Sequence, residues 1–217
     1  LISQIFYNFL VIIDKLFKFF LKKSILSWFK DFLHNDSYLK LNILSKKILF
    51  FTPNQLTEWR VKTFFIKEPE TLEWIDSFDS DNKTVFWDIG ANIGLYSIYN
   101  ALKNNNSITY SFEPSTSNLR VLSRNISINN LENKIKIISL PLSDLPNNFF
   151  KMNESNFVEG GALNTFKENF DFEGKVFEPK SKYSMLGTSI NYLLENKILD
   201  VPDYIKIDVD GTEHLIL

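Results

Sequence analysis

From residue 84 onward, short apolar runs alternate with segments of helical period. Residues 85–89 read as a strand. Residues 95–102 place Leu95, Ile98, Tyr99 and Leu102 on one face, which predicts a helix. A second strand follows at 108–112 and a second helix at 115–128, with Leu119, Leu122 and Ile126 in register. A third strand at 134–140, a helix at 188–196 and a fourth strand at 203–209 continue the alternation. Such a sequence builds a parallel sheet with crossover helices. Residues 145–180 break the order: Gly160-Gly161 and many Asn predict a long flexible insertion with room for one hairpin.

Upstream the pattern is different. Residues 1–33 carry Ile2, Ile5, Phe6, Phe9, Ile13, Leu16 and Phe20 at helical spacing and read as one helix. Asp14, Lys15 and Lys18 interrupt the apolar run, which argues against a transmembrane span, and no small-residue cleavage site follows, as a signal peptide requires. Two readings of this amphipathic, Lys-bearing segment stay open: a peripheral membrane contact, or packing on its own domain or another subunit. Residues 47–52 predict a strand ended by Pro53-Asn54, and the weak alternation of 59–66 predicts another. Pro69 opens a helix through Leu72, Trp74 and Ile75, with Glu68 and Glu70 near its positive end. Residues 79–82 (DSDN) form a loop. The expected organisation is an amphipathic helical extension over 1–46 and one domain over 47–217. The chain opens on Leu1 and stops at Leu217 within an apolar run, so it reads as part of a longer protein whose sheet continues beyond residue 217.

Composition narrows the function. The 217 residues are 44% hydrophobic and carry a net charge of −2, so no global basic field serves a nucleic-acid backbone. There is no Cys, which excludes a disulfide scaffold and a Cys-ligated zinc site and fits a reducing, cytoplasmic setting.

The chemistry concentrates in 85–94 (VFWDIGANIG), a strand running into a tight turn and then a helix. Gly90 permits backbone angles that other residues resist and a close approach by a ligand. Gly94 allows tight packing of helix on strand. Asp88, at the carboxyl end of the strand, can bear on a cationic or hydrogen-bond-donating group. The next strand ends in Glu113-Pro114, where a carboxylate can accept from both hydroxyls of a ribose. The pattern lacks G-x-G-x-x-G, which counts against an NAD-dependent oxidoreductase, and lacks the G-K-[ST] of a phosphate loop. An acidic turn without a phosphate cradle suits S-adenosylmethionine, whose sulfonium and ammonium are positive and whose ribose is a diol.

These residues resemble the FkbM-type methyltransferases: 85–94, 112–118 (FEPSTSN), 122–129 (LSRNISIN), 140–144 (LPLSD) and 205–213 (IKIDVDGTE), over about residues 47–217. The resemblance implies a Rossmann-like class I methyltransferase fold of the α/β class, with S-adenosyl-L-methionine as donor and hydroxyls of sugars, glycan- or lipid-linked or other small molecules as acceptors. It implies that Asp88, Gly90, Ala91, Asn92 and Gly94 line the methionyl and ribose side, that Glu113 holds the ribose, and that Ser143 and Asp144 lie near the adenine. The family usually has Glu where this chain has Asp210.

Methyl transfer asks the protein to align a nucleophile, exclude water and supply a base. Asp208 and Asp210 end the fourth strand, and Glu213 follows at a helix start. Asp208 or Glu213 is the candidate to orient or deprotonate a hydroxyl acceptor; helix capping is the competing role for Asp210 and Glu213. His214 is a further candidate base against an ordinary helix position. Nothing in the spacing demands a metal ion. Gly160-Gly161-Ala162 fits either a hinge for a lid or a surface loop. A non-catalytic nucleotide-binding or membrane-surface assembly module is the rival to an enzyme. Oligomeric state is not encoded in any motif.

Overall fold

The computed structural model of the chain describes residues 1–168, 170, 174–176, 178–209, 213 and 216. It divides into two compact units, Leu1–Tyr38 and Leu39–Leu217. In the first, the apolar stretch forms two helices rather than one, α1 (Ile2–Leu21) and α2 (Ile25–Asp36). Lys22 ends α1 in left-handed backbone at φ 55°, and the Ser24 hydroxyl opens α2 by accepting from the Ser27 N–H. A Ser ahead of a periodic run is a start signal, and here it outweighs the continuous period.

A hairpin follows, β1 (Tyr38–Ile43) and β2 (Lys46–Phe51). Its connecting residues Leu44 and Ser45 both have positive φ, 48° and 64°. That backbone usually draws Asn or Gly, so β1 left no turn signal in the sequence. Residues 59–66, expected as a strand, are helical instead: α3 (Gln55–Lys62) and α4 (Phe64–Lys67). Asn54 and Thr57 form a capping box just after Pro53, with the Thr57 N–H donating to Asn54 Oδ1 at 2.9 Å and the Asn54 N–H donating to Thr57 Oγ1 at 3.3 Å. This start signal prevails over a weak alternation. The helix expected from Pro69 is α5 (Pro69–Asp76).

The predicted alternation then appears as β3 (Thr84–Ile89), α6 (Leu95–Lys103), β4 (Ser107–Phe112), α7 (Thr116–Ile128) and β5 (Ile135–Ile138). The insertion supplies β6 (Asn148–Glu154), β7 (Thr165–Phe166) and β8 (Ser181–Gly187), and α8 (Ile190–Glu195) and β9 (Tyr204–Ile207) follow. The main sheet has the order β5-β4-β3-β9 and every pairing in it is parallel. Counted along the chain, its strands lie 3-2-1-4, the arrangement of a Rossmann-like half. The fold expected from the sequence is therefore the fold found.

The two faces of the sheet differ in chemistry. Val85, Trp87 and Ile89 of β3 and Tyr110 and Phe112 of β4 form a buried apolar core with Leu193 and Leu199. On the opposite face β4 presents Ser107, Thr109 and Ser111, all buried. α6 answers with polar groups: Asn100 Nδ2 donates to Ser107 Oγ and Thr109 Oγ1, both at 2.9 Å, and Ser97 Oγ lies 2.6 Å from Ser111 Oγ. A polar buried strand face is tolerated because its hydroxyls are paired. Phe86, on that same face, joins Trp74 and Phe78, with Phe78 stacked on Tyr204 at 3.8 Å.

The insertion is more ordered than expected. β6 and β8 pair antiparallel from Asn148↔Gly187 to Glu154↔Ser181, with β7 on the other edge of β6. β2, outside the main sheet, is held by side chains of α7. The Phe51 N–H donates to Asn125 Oδ1 at 2.7 Å, and the Leu49 N–H donates to Asn129 Oδ1 at 3.0 Å. Asn125 Nδ2 also donates to the Ile93 carbonyl at 2.9 Å, which ties the same residue to the glycine turn.

Asn125→Ala would strand the Phe51 N–H and the Ile93 C=O in the core. We expect a loss of about 2–5 kcal/mol in unfolding free energy, whereas exposed Ser123→Ala should change it by less than about 0.5 kcal/mol. Urea midpoints decide the matter, and equal midpoints for the two variants would refute the assignment.

Candidate functional site

Two adjoining hollows open at the carboxyl edge of the main sheet, where ligands of open α/β sheets bind. The larger encloses about 670 Å³ of space open to solvent. Its walls come from the turn after β3 (Ile89, Gly90, Asn92), the end of β4 (Phe112, Glu113, Pro114), the segment after β5 (Leu140, Pro141, Leu142), the end of β9 (Asp208, Val209) and the insertion. The smaller, about 450 Å³, is lined by Arg60, Phe64, Lys67, Glu68, Leu95, Tyr96 and Lys206 together with the turn. Gly90, Asn92 and Asp208 border both.

The turn is bent over the sheet by backbone bonds. The N–H groups of Gly90 and Ala91 both donate to the Phe112 carbonyl, at 3.0 and 2.9 Å. Gly90 has φ +85°, and a Cβ there would fall 1.9 Å from the Asp208 carbonyl oxygen. The missing side chain thus makes room first for the β9 backbone, where the sequence had suggested room for a ligand. Gly94 has φ +87°, and its Cβ would meet Leu122 Cδ1 of α7 at 2.5 Å. Its lack of a side chain seats the second helix against the turn.

Glu113 lines the larger hollow. Its Oε2 accepts from the Asn92 N–H and its Oε1 from the Ser115 N–H, both at 2.8 Å. The carboxyl group therefore cross-links the two strand–helix turns and borders the hollow. Burial pushes its pKa up to about 8; the bonds from Ser115, Asn118 and Asn92 pull the other way, and the charge of Glu154 adds to the rise. Asn92, in left-handed backbone at φ 52°, donates through Nδ2 to the Gly161 carbonyl at 2.8 Å. Its Oδ1 is buried without a partner, an acceptor waiting on a donor at the border of both hollows.

The other expected site residues are placed differently. Asp88 lines neither hollow: it is fully buried under the turn, with Oδ2 accepting from Ser97 Oγ and Oδ1 unpartnered. Burial raises its pKa, against the pull of Lys206 and Ser97. Ala91 borders the smaller hollow. Gly94 sits at the start of α6, away from both. Ser143 is buried and spends its hydroxyl on the Leu145 carbonyl at 2.9 Å. Asp144 points outward to Lys167 Nζ at 2.8 Å, whose hydrogen bond lowers the Asp144 pKa. Leu140, Pro141 and Leu142, just before them, are the residues that reach the hollow. Asp208 is half exposed beside Lys206 Nζ at 3.1 Å. Glu213 is half buried and is not among the lining residues. Asp210 and His214 lie outside the described residues. Among the described residues no group of three or more His, Asp and Glu gathers as a metal site would require.

Several side chains were missed by sequence reasoning. Gly160 and Gly161, taken as a hinge or a surface loop, are buried and clamped. The Gly160 N–H donates to Asn118 Oδ1 at 2.8 Å, the Gly160 carbonyl accepts from Arg60 Nε at 2.7 Å, and the Gly161 carbonyl accepts from Asn92 and Asn118. Glu154 of β6 is fully buried, accepts from Tyr183 Oη at 2.8 Å and leaves Oε2 without a partner. In the smaller hollow Tyr96 Oη donates to Glu68 Oε2 at 2.8 Å, and Lys206 lies over the Tyr96 ring at 4.9 Å. Burial alone would raise Glu68, but the bonds from Lys67 and Tyr96 bring its pKa below the usual carboxylate value. Arg60 falls in a segment whose alternation suggests a strand and Glu154 in the stretch that reads as a long insertion with room for one hairpin, so neither carried a signal.

A parallel sheet of this order, with a glycine turn after its first strand and an acid closing its second, defines a nucleoside-binding α/β protein. A model of the methyltransferase FkbM domain matches residues 88–217, and the chain belongs to that family, whose methyl donor is S-adenosylmethionine. No curated protein matches it. Among solved structures it is similar to a SAM-dependent methyltransferase from Agrobacterium tumefaciens, at 17% identity and TM-score 0.37, over 48% of this chain and 32% of that one. It is similar to TYW2 of M. jannaschii in complex with AdoMet, at 18% identity and TM-score 0.34, over 50% of this chain and 48% of that one. A SAM-dependent methyltransferase from Aquifex aeolicus shares 13% identity at TM-score 0.33, over 45% of this chain and 53% of that one. The chain thus spans about a third to a half of the length of these structures. Overlaps this partial add no weight; membership rests on the family match.

The site predicts a pH dependence. The Glu113 pKa is raised from 4.5 to about 8, so the folded chain holds a proton that the unfolded chain has released between those values. The contribution of Glu113 to stability is complete below about pH 4.5 and is lost as the pH climbs through about 8. Thermal midpoints of the ligand-free protein should fall over that window, and Glu113→Gln should remove most of the fall. An unchanged slope in the variant would show that Glu113 is not the group.

Proposed function

We propose that the protein transfers the methyl group of S-adenosylmethionine to a hydroxyl of a sugar, a glycan- or lipid-linked molecule or a related small acceptor. The observation that carries this reading is Glu113, a buried carboxyl group braced by two backbone N–H groups in the lining of the larger hollow. A ribose diol is a donor pair suited to it. Leu142, Pro114, Met152 and Phe166 supply an apolar slot of the kind a purine base occupies. The orphan Asn92 Oδ1 offers a further acceptor at the turn. When bound, the donor supplies a methyl group already activated by its sulfonium.

The smaller hollow is the proposed acceptor side. Asp208 borders both hollows, and the other acids of their linings, Glu113 and Glu68, border one each. It is exposed enough to meet a hydroxyl, and it is held beside Lys206. Asp208 would orient the acceptor and take its proton as the methyl group transfers. Glu213 drops to a supporting role in this reading, because it is absent from both linings. Tyr96, Phe64 and the Glu68 carboxylate offer the mixed apolar and polar wall that a sugar ring needs.

The test is methyl transfer to a panel of sugars and lipids followed by mass spectrometry, with calorimetry of S-adenosylmethionine and of NAD in parallel. We expect uptake of S-adenosylmethionine but not NAD. Asp208→Asn should cut turnover by roughly a hundredfold or more with little change in donor affinity. Normal turnover in that variant would remove Asp208 from the chemistry, and failure of the native protein to take up the donor would remove the whole reading.

A further inference from the structure

The surface of the N-terminal unit carries an inference independent of methyl transfer. Sixteen large apolar residues are exposed within Leu1–Tyr38, against fifteen in all the other described residues. Contiguous apolar surface on this scale marks a binding face. On α1, Ile2, Ile5, Phe9, Leu16 and Phe20 share one side and are between 56% and 84% exposed. At the helical step of about 100° per residue, the apolar arc covers roughly 200° of the circumference. α2 adds exposed Trp28, Phe29, Phe32 and Leu33, again at one-face spacing.

The charges are arranged to match. Asp14 is the one acid in α1 and is 3% exposed. It is turned inward to Lys18 Nζ at 2.8 Å, the Ser24 hydroxyl at 2.9 Å and the Leu26 N–H at 3.1 Å. The lysine hydrogen bond holds its pKa down at about 2. The outer surface of α1 therefore shows lysine and no carboxylate, and Lys22 and Lys23 stand exposed in the connection to α2. Across Leu1–Tyr38 five lysines against three aspartates leave +2, so the chain total of −2 leaves −4 for residues 39–217. No helix among the described residues is long and apolar enough to cross a membrane. A seam between protein helices is typically a narrow stripe. On α1, a broad, Phe-rich arc bordered by lysines, with that helix's single acid neutralised inside, is the pattern of a helix lying in a lipid interface; the two acids of α2, Asp31 and Asp36, are exposed.

We propose that α1 and α2 bind the protein to the surface of an anionic lipid membrane, with the apolar arc at the acyl boundary and Lys15, Lys22 and Lys23 at the headgroups. The test is co-sedimentation of the full chain with vesicles of phosphatidylcholine alone and of phosphatidylcholine with phosphatidylglycerol. Two variants accompany it: Phe9→Ser with Phe20→Ser, and Lys15→Gln with Lys22→Gln and Lys23→Gln. Binding is expected on the anionic vesicles and should weaken roughly tenfold to a hundredfold in the lysine variant, as it should with added salt. The phenylalanine variant should not bind. All five positions are exposed, so circular dichroism and S-adenosylmethionine uptake should be unchanged in both variants. Equal sedimentation with neutral and anionic vesicles, binding kept by both variants, or a stable dimer that needs Phe9 and Phe20 and ignores vesicles would overturn the proposal.

Discussion

A side-chain carbon on Gly90 would stand 1.9 Å from the Asp208 carbonyl oxygen, inside any allowed contact. The absence of that carbon lets the turn after β3 lie directly against the end of β9. Everything at the carboxyl edge of the sheet follows from this proximity. The turn, with Gly90 at φ +85°, also receives the Phe112 carbonyl on two successive N–H groups, so three neighbouring strand ends meet at one backbone corner. Asp208 and Asn92 border both hollows because this corner is the wall between them.

Burial assigns different work to the two acids of the motif. Asp88 is buried beneath the turn and accepts from Ser97, within the polar layer between the sheet and α6. Glu113 is nearly as buried, but both of its oxygens take backbone N–H groups from opposite turns and its edge reaches the larger hollow. Burial raises its pKa, while the bonds from Ser115 and Asn92 pull it down.

The insertion completes the site rather than decorating it. Met152 and Phe166 wall the larger hollow, and Gly160-Gly161 is bonded to Asn92, Asn118 and Arg60, three residues from three separate parts of the chain. Glu154 comes close enough to raise the Glu113 pKa. These contacts join elements more than forty residues apart.

Local pattern alone determined the alternation from residue 84 onward, the positions of Gly90, Gly94 and Glu113, and the family resemblance, because each depends on neighbours within a turn or a strand. The strand order β5-β4-β3-β9 came from the structure. Two departures were local as well: the strand expected at 59–66 is helix through the Asn54–Thr57 cap, and β1 closes on a Leu-Ser turn that carries no glycine. Tertiary structure decided which polar side chains reach the hollows. Asp88, Ser143 and Asp144 were drawn away from the hollows by bonds to Ser97, Leu145 and Lys167, whereas Arg60, Asn118, Glu154 and Tyr96 were brought to the site by folding. The physical reason is one of range. Periodicity and turn chemistry are written between adjacent residues, but which side chains meet at the hollows depends on partners far along the chain, as Arg60 with Gly160 and Asn92 with Gly161 show.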